Sequence, residues 1–382
     1  MKRAYIALLI LAALSCAVLG IDLALHGGAF LHAYLAAFAF LASTVLGALV
    51  LWMVAKLTAA SWFVVMRRLA EAIASIIPLL FVAFVPIALG LEQLYPWAHS
   101  FGGLDEEVRR SIEHARGWMN EPLFLGRAAF FLALWTALEE AMRRASVNED
   151  AGRLERAERN FTRLSAIGLP VLGFSASFAT FDWVMSAVPG LNSNILGLYL
   201  LCGGFSSAMG AFCVVFHLAR QRGVFPPEVS RFHTHALGRM LLMSVCLWAY
   251  MAASQLVIMW SANLPKEAGF YLARFQGPFR ALAIALCVAH FAVPFFLLLS
   301  RWLKQSSFAL ALLGALIVVT HAVDMYWLLV PAAPRGASYL DFAAFTLLAA
   351  LGTAFGAWRF TRAAAVPAKA PELERSLAYE SP

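Results

Sequence analysis

The stretch that decides the fold runs from Phe30 to Ala55 and reads FLHAYLAAFAFLASTVLGALVLWMVA. It contains no Asp, Glu, Lys or Arg, and it is longer than the roughly 20 apolar residues that a helix needs to cross the hydrocarbon core of a bilayer. A helix is favoured in lipid because it satisfies its backbone hydrogen bonds within one segment. We therefore predict that residues 30–55 form a membrane-spanning helix.

Nine further stretches meet the same requirement of length and apolarity, which predicts an all-α, polytopic membrane protein with about ten transmembrane helices. The weakest is the fourth, because it is short and carries Arg127 at one end and Glu139 and Glu140 at the other. The predicted spans are Tyr5–Leu25, Phe30–Ala55, Ile73–Leu91, Leu123–Ala141, Leu164–Ser186, Asn194–Ala219, Gly238–Ala262, Gly277–Ser300, Ser306–Val330 and Ser338–Phe360.

The composition of the whole chain supports this prediction. Of its 382 residues, 62% are apolar and only 13% are charged, and the mean hydropathy is +0.75. A soluble protein carries about 25% charged residues, so the chain has too few charges to cover a soluble surface. The net charge of +7 is spread over the loops of a membrane protein, and we expect a lipid membrane and no nucleic acid as its surroundings.

The distribution of basic residues predicts the orientation in the membrane. When the loops are assigned to alternate sides, 21 of the 29 Lys and Arg residues lie on one side and 8 on the other. The side richer in Lys and Arg is cytoplasmic in bacterial membrane proteins. We therefore expect a bacterial inner membrane protein with both termini in the cytoplasm. Residues 1–362 form the membrane domain, and the polar, Ala/Pro-rich residues 363–382 are predicted to be a disordered cytoplasmic tail.

Polar side chains inside the predicted spans are the candidate functional residues. An ionisable group at bilayer depth is costly, and therefore usually serves a function. Asp182, Gln255, His321 and Asp324 are predicted to lie toward the outer ends of their spans, and His290 near the middle of the eighth. His321 and Asp324 are three residues apart and share one helix face. Such a pair can hold and pass a proton, because the carboxylate stabilises the imidazolium.

Three interpretations of this His–Asp pair stay open at this point: packing between helices, a proton relay, and contact with a quinone. Packing is the simplest, since polar side chains often hydrogen-bond between membrane helices. Haem ligation is disfavoured because His290 and His321 are expected at different depths. No Cys motif indicates a metal or iron–sulfur site, and we expect no catalytic residue and no metal site. The tryptophans, Trp248 among them, are predicted to form an interfacial belt.

A second group of charges lies where the third span begins on the cytoplasmic side. Arg67, Arg68 and Glu71 occur in the sequence WFVVMRRLAEA at residues 62–72. Arg67 and Glu71 are four residues apart, the spacing at which charged side chains pair on a helix. These residues are candidates either for interfacial anchoring or for the cytoplasmic entrance of a proton path.

Three motifs follow one another along the second half of the chain. The first precedes the sixth span, the second lies on the seventh and the third on the ninth. They are FDWVMS at Phe181–Ser186 with Pro189 and Gly197–Tyr199, WAY at Trp248–Tyr250 with Ser254–Gln255 and WSANLP at Trp260–Pro265, and HAVDMYW at His321–Trp327 with Pro331.

Together these motifs resemble the ActF family of NrfD-like (polysulfide reductase NrfD family) membrane subunits of bacterial alternative complex III, a quinol:cytochrome c oxidoreductase. The resemblance covers most of the chain. It implies two four-helix bundles plus flanking helices, and no redox cofactor bound by this chain itself. It also implies as partners a sister NrfD-like subunit, an iron–sulfur subunit, multihaem cytochrome c subunits and small membrane subunits, with menaquinol or ubiquinol as a quinone ligand.

Carried over by position, Asp182, Gln255, His321 and Asp324 are the residues implied to form a proton path or a quinone-pocket-like bundle. The chain departs from the family after Pro189, where Gly190–Asn194 replaces a turn containing His and Trp, which puts a quinone contact at that loop in doubt. The chain is accordingly expected to be an accessory membrane subunit of a quinol-oxidising complex. A secondary transporter and a purely structural membrane anchor are the alternatives.

Overall fold

The computed structural model describes most of the chain, and every statement below concerns those residues. They are residues 2–26, 28, 30–98, 117–150, 154–188, 191–262, 265–332, 338–367, 369–370 and 372–380. Pro189, Gly190, Asn263 and Leu264 of the motifs lie outside them.

The described chain is built from α-helices, with short 3-10 and π segments between some of them. A π segment, Leu286–Ala292, joins two helices of one span. The helices are α1 (Lys2–His26), α2 (Leu31–Leu57), α3 (Ser61–Val64), α4 (Arg67–Ala74), α5 (Leu79–Leu89), α6 (Leu91–Leu94), α7 (Glu121–Asp150), α8 (Leu154–Trp183), α9 (Leu196–Gln221), α10 (Arg231–Ala262), α11 (Pro265–Arg274), α12 (Gly277–Ala285), α13 (Val293–Leu299), α14 (Arg301–Gln305), α15 (Ser307–Leu329), α16 (Tyr339–Phe360) and α17 (Leu373–Leu377).

Ten helical segments of the described chain are long and apolar enough to cross a membrane, which confirms the predicted all-α, multi-pass fold. Two of them are composite: α4 and α5 together form the third span, and α12, the π segment and α13 form the eighth. The spans form two groups of four, with α2, α4–α5, α7 and α8 in the first and α9, α10, α12–α13 and α15 in the second. Helices α1 and α16 pack against each other and flank the bundles.

The two bundles meet at α2 and α9, whose backbones approach closely because both carry glycine at the crossing. A Cβ atom added to Gly204 would lie 2.1 Å from the carbonyl oxygen of Ser43, and one added to Gly47 would lie 2.4 Å from the carbonyl oxygen of Gly204. Small residues are the usual means by which membrane helices approach each other. On another face of α9, Gly210 and Gly314 of α15 meet in the same way, so α9 is the central helix of the protein.

Helix α1 has an unusual environment. It is apolar on all sides, with Leu14, Ile10 and Ile21 exposed, and only 17% of its most apolar window is buried in the protein. Its main neighbour is α16. The exposed faces of α1 are those expected of a helix surrounded by lipid.

The ends of α7 and α8 that are predicted to be cytoplasmic extend well beyond the predicted spans. The fourth span was predicted to end at Ala141, whereas α7 continues to Asp150 and α8 begins at Leu154. The extension of α7 is stabilised by charge, because Glu149 is fully buried and lies 2.5 Å from Arg67, and Asp150 contacts Arg68. The charged linker of the sequence is therefore largely helical.

The polar tail differs from the disorder predicted for residues 363–382. Residues 373–377 form the short helix α17, and Ser376 is fully buried. The backbone N–H of Val65 donates to the Ser376 hydroxyl (3.1 Å), and His233 Nε2 lies 2.8 Å from the Ser376 carbonyl oxygen. Lys56 contacts Glu372 at 3.3 Å. The tail thus joins the ends of α2 and α10, contacts that polarity alone does not reveal in the sequence.

Candidate functional site

A cavity lies within the second bundle. Its volume of about 550 Å³ is within the roughly 300–1,000 Å³ that small-molecule sites occupy. Its walls are contributed by α9, α10, α11, α12, the π segment and α15. The rim carries the exposed apolar side chains Tyr250, Leu256 and Phe275, so the cavity is open toward the face predicted to contact lipid.

Most of the cavity wall is aromatic or aliphatic, and its polar groups are few. The ring of Tyr271 in α11 stacks with that of Phe275, just beyond the helix, with their centroids 5.5 Å apart, and both lie 6.4 Å from Trp327 of α15. Asp324, Gln255, Tyr199 and Trp248 supply the polar side chains. An apolar pocket with a few convergent polar groups is the usual form of a ligand site.

Asp324 is the only carboxylate in the wall of this cavity among the described residues. The Tyr199 hydroxyl donates to its Oδ1, and the Trp248 indole N–H donates to its Oδ2 at 3.0 Å. The side chain is 1% exposed. Both oxygens accept hydrogen bonds from neutral donors, and within the described part of the chain no Lys or Arg side chain pairs with Asp324, so neutral groups hold this carboxyl group in place.

His321 lies one helical turn from Asp324, on the side away from the cavity. Its Nδ1 is 3.9 Å from Asp324 Oδ2, and its Nε2 is 2.9 Å from the hydroxyl of Ser43 on α2. The predicted sharing of one helix face is therefore present. The imidazole therefore lies between the cavity carboxylate and the first bundle. It is within hydrogen-bond distance of Ser43, whereas its distance to Asp324 is longer than a hydrogen bond.

His290 lies closer to His321 than predicted. The ring centroids are 6.4 Å apart. The reason is the π segment that carries His290, since a π turn shifts the register of the helix beyond it. Trp248 stacks on His290 at 3.9 Å and both histidines are fully buried, so the protein leaves no room for a porphyrin between them.

Gln255 belongs to the cavity, at its outer end. Its Oε1 accepts a hydrogen bond from the hydroxyl of Ser193, and its amide nitrogen lies 2.9 Å from the sulfur of Met259. Ser193 is part of the segment in which the chain departs from the ActF-like pattern. The altered loop therefore still contributes a polar contact to the cavity residue Gln255.

Asp182, in contrast, is separate from the cavity. It forms a buried ion pair with Arg127 of α7, with Arg127 Nε 2.7 Å from Asp182 Oδ2, and the indole N–H of Trp118 donates to the same carboxylate at 3.2 Å. Of the four residues expected to converge, the structure brings His321 and Asp324 together, places Gln255 in the same cavity and sets Asp182 in the first bundle.

We therefore expect the Asp182→Asn variant to lose stability without losing ligand binding in the cavity. Removing one partner of a buried ion pair leaves an uncompensated charge and costs about 3 kcal/mol. The measurement is thermal unfolding of the purified protein in detergent. The matched control is Arg144→Gln, because the exposed Arg144–Glu140 pair is expected to contribute less than about 1 kcal/mol. Equal stability of the two variants would contradict the prediction.

The cytoplasmic candidates Arg67, Arg68 and Glu71 form a buried ionic cluster. Arg67 lies 3.4 Å from Glu71 and 2.5 Å from Glu149, and Arg68 lies 2.5 Å from Glu71 and also contacts Asp150. The predicted pairing of Arg67 with Glu71 is present. The additional partners come from the extended end of α7, so these charges tie the third span to the fourth.

Sequence reasoning did not single out several residues of the cavity. Trp248 was assigned to an interfacial belt, yet it is 5% exposed and hydrogen-bonds Asp324. Tyr199 was noted only as part of a motif. Their positions within the motifs Trp248–Tyr250 and Gly197–Tyr199 were the one available signal. Trp260 and Trp302 are exposed, as expected for a belt.

Arg274, at the end of α11, was also missed. It is 2% exposed, and its guanidinium carbon lies 3.6 Å from the centroid of the Phe270 ring. Within the described residues it forms hydrogen bonds only to backbone carbonyls, those of Phe270, Trp327 and Leu328. Burial lowers the pKa of Arg274 to about 9, which still leaves the side chain protonated at neutral pH.

Comparison with known proteins adds no assignment. No protein-family profile matches the chain, and no curated protein is significantly similar to it in sequence. The function of the chain is therefore inferred from the geometry of the cavity and from the motifs.

Proposed function

We propose that this chain is a membrane subunit of a respiratory quinol-oxidising complex of the alternative complex III type, and that its cavity binds the head group of a quinone. The observation that carries the proposal is the position of Asp324. It is a buried carboxylate, held by Tyr199 and Trp248 at the wall of an aromatic cavity that faces lipid. A quinone is a lipid-soluble aromatic ring whose oxygens exchange protons, and the cavity offers an apolar enclosure and a proton acceptor.

The proposed reaction is the oxidation of a quinol, which loses two electrons and two protons when it becomes a quinone. The electrons pass to an iron–sulfur or haem group of a partner subunit, which is the electron acceptor in complexes of this type. Asp324 accepts the first proton and passes it to His321 Nδ1 once side-chain motion closes the 3.9 Å between them to hydrogen-bond distance. His321 then gives up the proton on its Nε2 to the Ser43 hydroxyl, 2.9 Å away, which frees Asp324 to accept the second proton. The N–H of the Gln255 amide is the candidate donor to a quinone carbonyl, because the single hydroxyl proton of Tyr199 is already donated to Asp324.

Two cysteines allow the ligand to be tested directly. Cys246 and Cys287 both line the cavity, whereas Cys16 is exposed on α1. We expect a quinone analogue at ten times its Kd to slow labelling of Cys287 by a lipophilic maleimide about tenfold, in proportion to occupancy. Labelling of Cys16, followed in the same sample by mass spectrometry, should not change.

Equal labelling of Cys287 with and without quinone, under conditions where Cys16 reacts normally, would contradict a quinone in this cavity. Co-purification separates the remaining alternatives. A tagged chain isolated from its native membrane should bring haem-containing and iron–sulfur subunits with it. A transporter would be isolated without them, and a structural anchor would bring them but show no protection of Cys287.

A further inference from the structure

Helix α11 differs from the other walls of the cavity because it is short and lies between two spans. It comprises Pro265–Arg274, and its inner face contributes Phe270, Tyr271 and, just beyond the helix, Phe275 to the cavity. Its other face is exposed, as Leu272 shows. A short amphipathic helix between two spans, on the predicted outer side, is expected to lie along the membrane interface.

The contact that fixes α11 to the bundle is Arg274. Arg274 Nε donates to the Trp327 carbonyl oxygen at 3.1 Å, and the terminal nitrogen Nη2 donates to that of Leu328 at 2.5 Å. Both carbonyls belong to the last turn of α15, where backbone oxygens lack partners within the helix and the helix dipole attracts a cation. Arg274 therefore completes the end of the helix that carries Asp324.

The backbone shortly after Arg274 has a glycine in a position that allows bending. Gly277, three residues later, has a φ of +54°, and a Cβ added to it would meet no atom within 4 Å. This backbone conformation is one that glycine adopts readily and other residues adopt rarely. The junction between α11 and α12 can therefore act as a hinge, since no atom crowds Gly277. The hydrogen bonds of Arg274 lie just before this hinge.

We propose that α11 is a movable wall beside the opening of the cavity and that Arg274 is the positioning residue that holds this wall in place, so that Arg274 limits the width of the opening and with it the rate at which a lipophilic ligand enters and leaves. The inference rests on the proposed function for the identity of the ligand. The attachment of α11 itself can be measured without any ligand.

The first measurement is amide hydrogen exchange of the full chain in lipid nanodiscs. In Arg274→Gln, exchange of the α11 amides should accelerate on the order of tenfold, because the hydrogen bonds to α15 are lost. The matched control is Arg280→Gln, since Arg280 is an exposed arginine on α12. Unchanged exchange of α11 in Arg274→Gln would overturn the role of Arg274.

The second measurement is the kinetics of binding of heptyl-hydroxyquinoline N-oxide, a fluorescent quinol analogue. If α11 is a gate, association and dissociation should both accelerate on the order of tenfold in Arg274→Gln, while the Kd changes much less. A purely structural role would raise only the dissociation rate. Faster dissociation with an unchanged association rate would therefore overturn the gate.

A third variant serves as the test if Arg274→Gln does not fold. Arg274→Lys keeps the positive charge at the end of α15 but loses the planar fork that reaches two carbonyls at once. This variant should show the same changes in hydrogen exchange and in binding rates, but smaller ones. If the variant folds and shows neither change, the proposal is contradicted. If the analogue does not bind the unmodified protein at all, the quinone function fails, whereas hydrogen exchange still decides whether Arg274 fixes α11.

Discussion

The Asp324→Asn variant is expected to lose about 100-fold or more of quinol oxidation, the usual contribution of a positioned general base, while still assembling with its partners. The asparagine amide can accept from Tyr199 or from Trp248 through its single oxygen, but it cannot take a proton. The shape of the site is therefore nearly preserved while the proton acceptor is removed. The measurement is quinol:acceptor activity and proton release by the purified complex.

The control is Asp341→Asn. Asp341 is a carboxylate of similar burial that accepts from the hydroxyl of Tyr326 at 3.0 Å and caps α16, outside the cavity. Loss of an N-terminal cap should cost on the order of 1 kcal/mol of stability and leave turnover unchanged. If Asp324→Asn assembles and keeps both its rate and its proton release, Asp324 has no role as a relay. If it fails to assemble, packing is the better explanation of the His321–Asp324 pair.

The Gly204→Val variant is expected to destabilise the membrane domain by about 3 kcal/mol or more, because overpacking a tight contact displaces the backbone. The first side-chain atom alone would lie 2.1 Å from the carbonyl oxygen of Ser43. Neither α2 nor α9 can relieve this contact by a side-chain rotation, since the atom it meets belongs to the backbone. The measurement is the yield of monodisperse protein in detergent and its apparent melting temperature.

A glycine elsewhere in the membrane domain provides the matched comparison. Gly173 lies within α8, and a Cβ added there meets nothing within 4 Å. Gly173→Val changes the same residue type in a helix at similar membrane depth, and we expect wild-type yield. Comparable loss in both variants would mean that β-branched residues are poorly tolerated in these helices generally, and that the α2–α9 contact has no special importance.

The fold could be predicted from the sequence because its main signal is local. Each membrane-spanning helix requires about 20 consecutive apolar residues. Such a stretch can be recognised without knowledge of the rest of the chain. The predicted ends of the spans were less accurate, most of all for α7, whose charged extension finds its partners in Arg67 and Arg68. Those partners are more than 70 residues away in the sequence, beyond the reach of any local pattern.

The candidate site was predictable only where its members lie on one helix. His321 and Asp324 are three residues apart, so the helical period brings them together. Asp182 has the same character in the sequence as Asp324, yet it is neutralised by Arg127, 55 residues earlier. A single sequence contains nothing that distinguishes a paired carboxylate from an uncompensated one. The register shift that brings His290 to His321 has no sequence signal either.

The pairing of α1 with α16 has a consequence for biogenesis. Helix α1 meets its main neighbour only after roughly 300 further residues have been made, which takes about 15–60 s at the usual synthesis rates of 5–20 residues per second. During that interval α1 lies in the bilayer without α16. Most of its surface is apolar and suits lipid, whereas Asp22 and Ser15 become buried only in the folded protein.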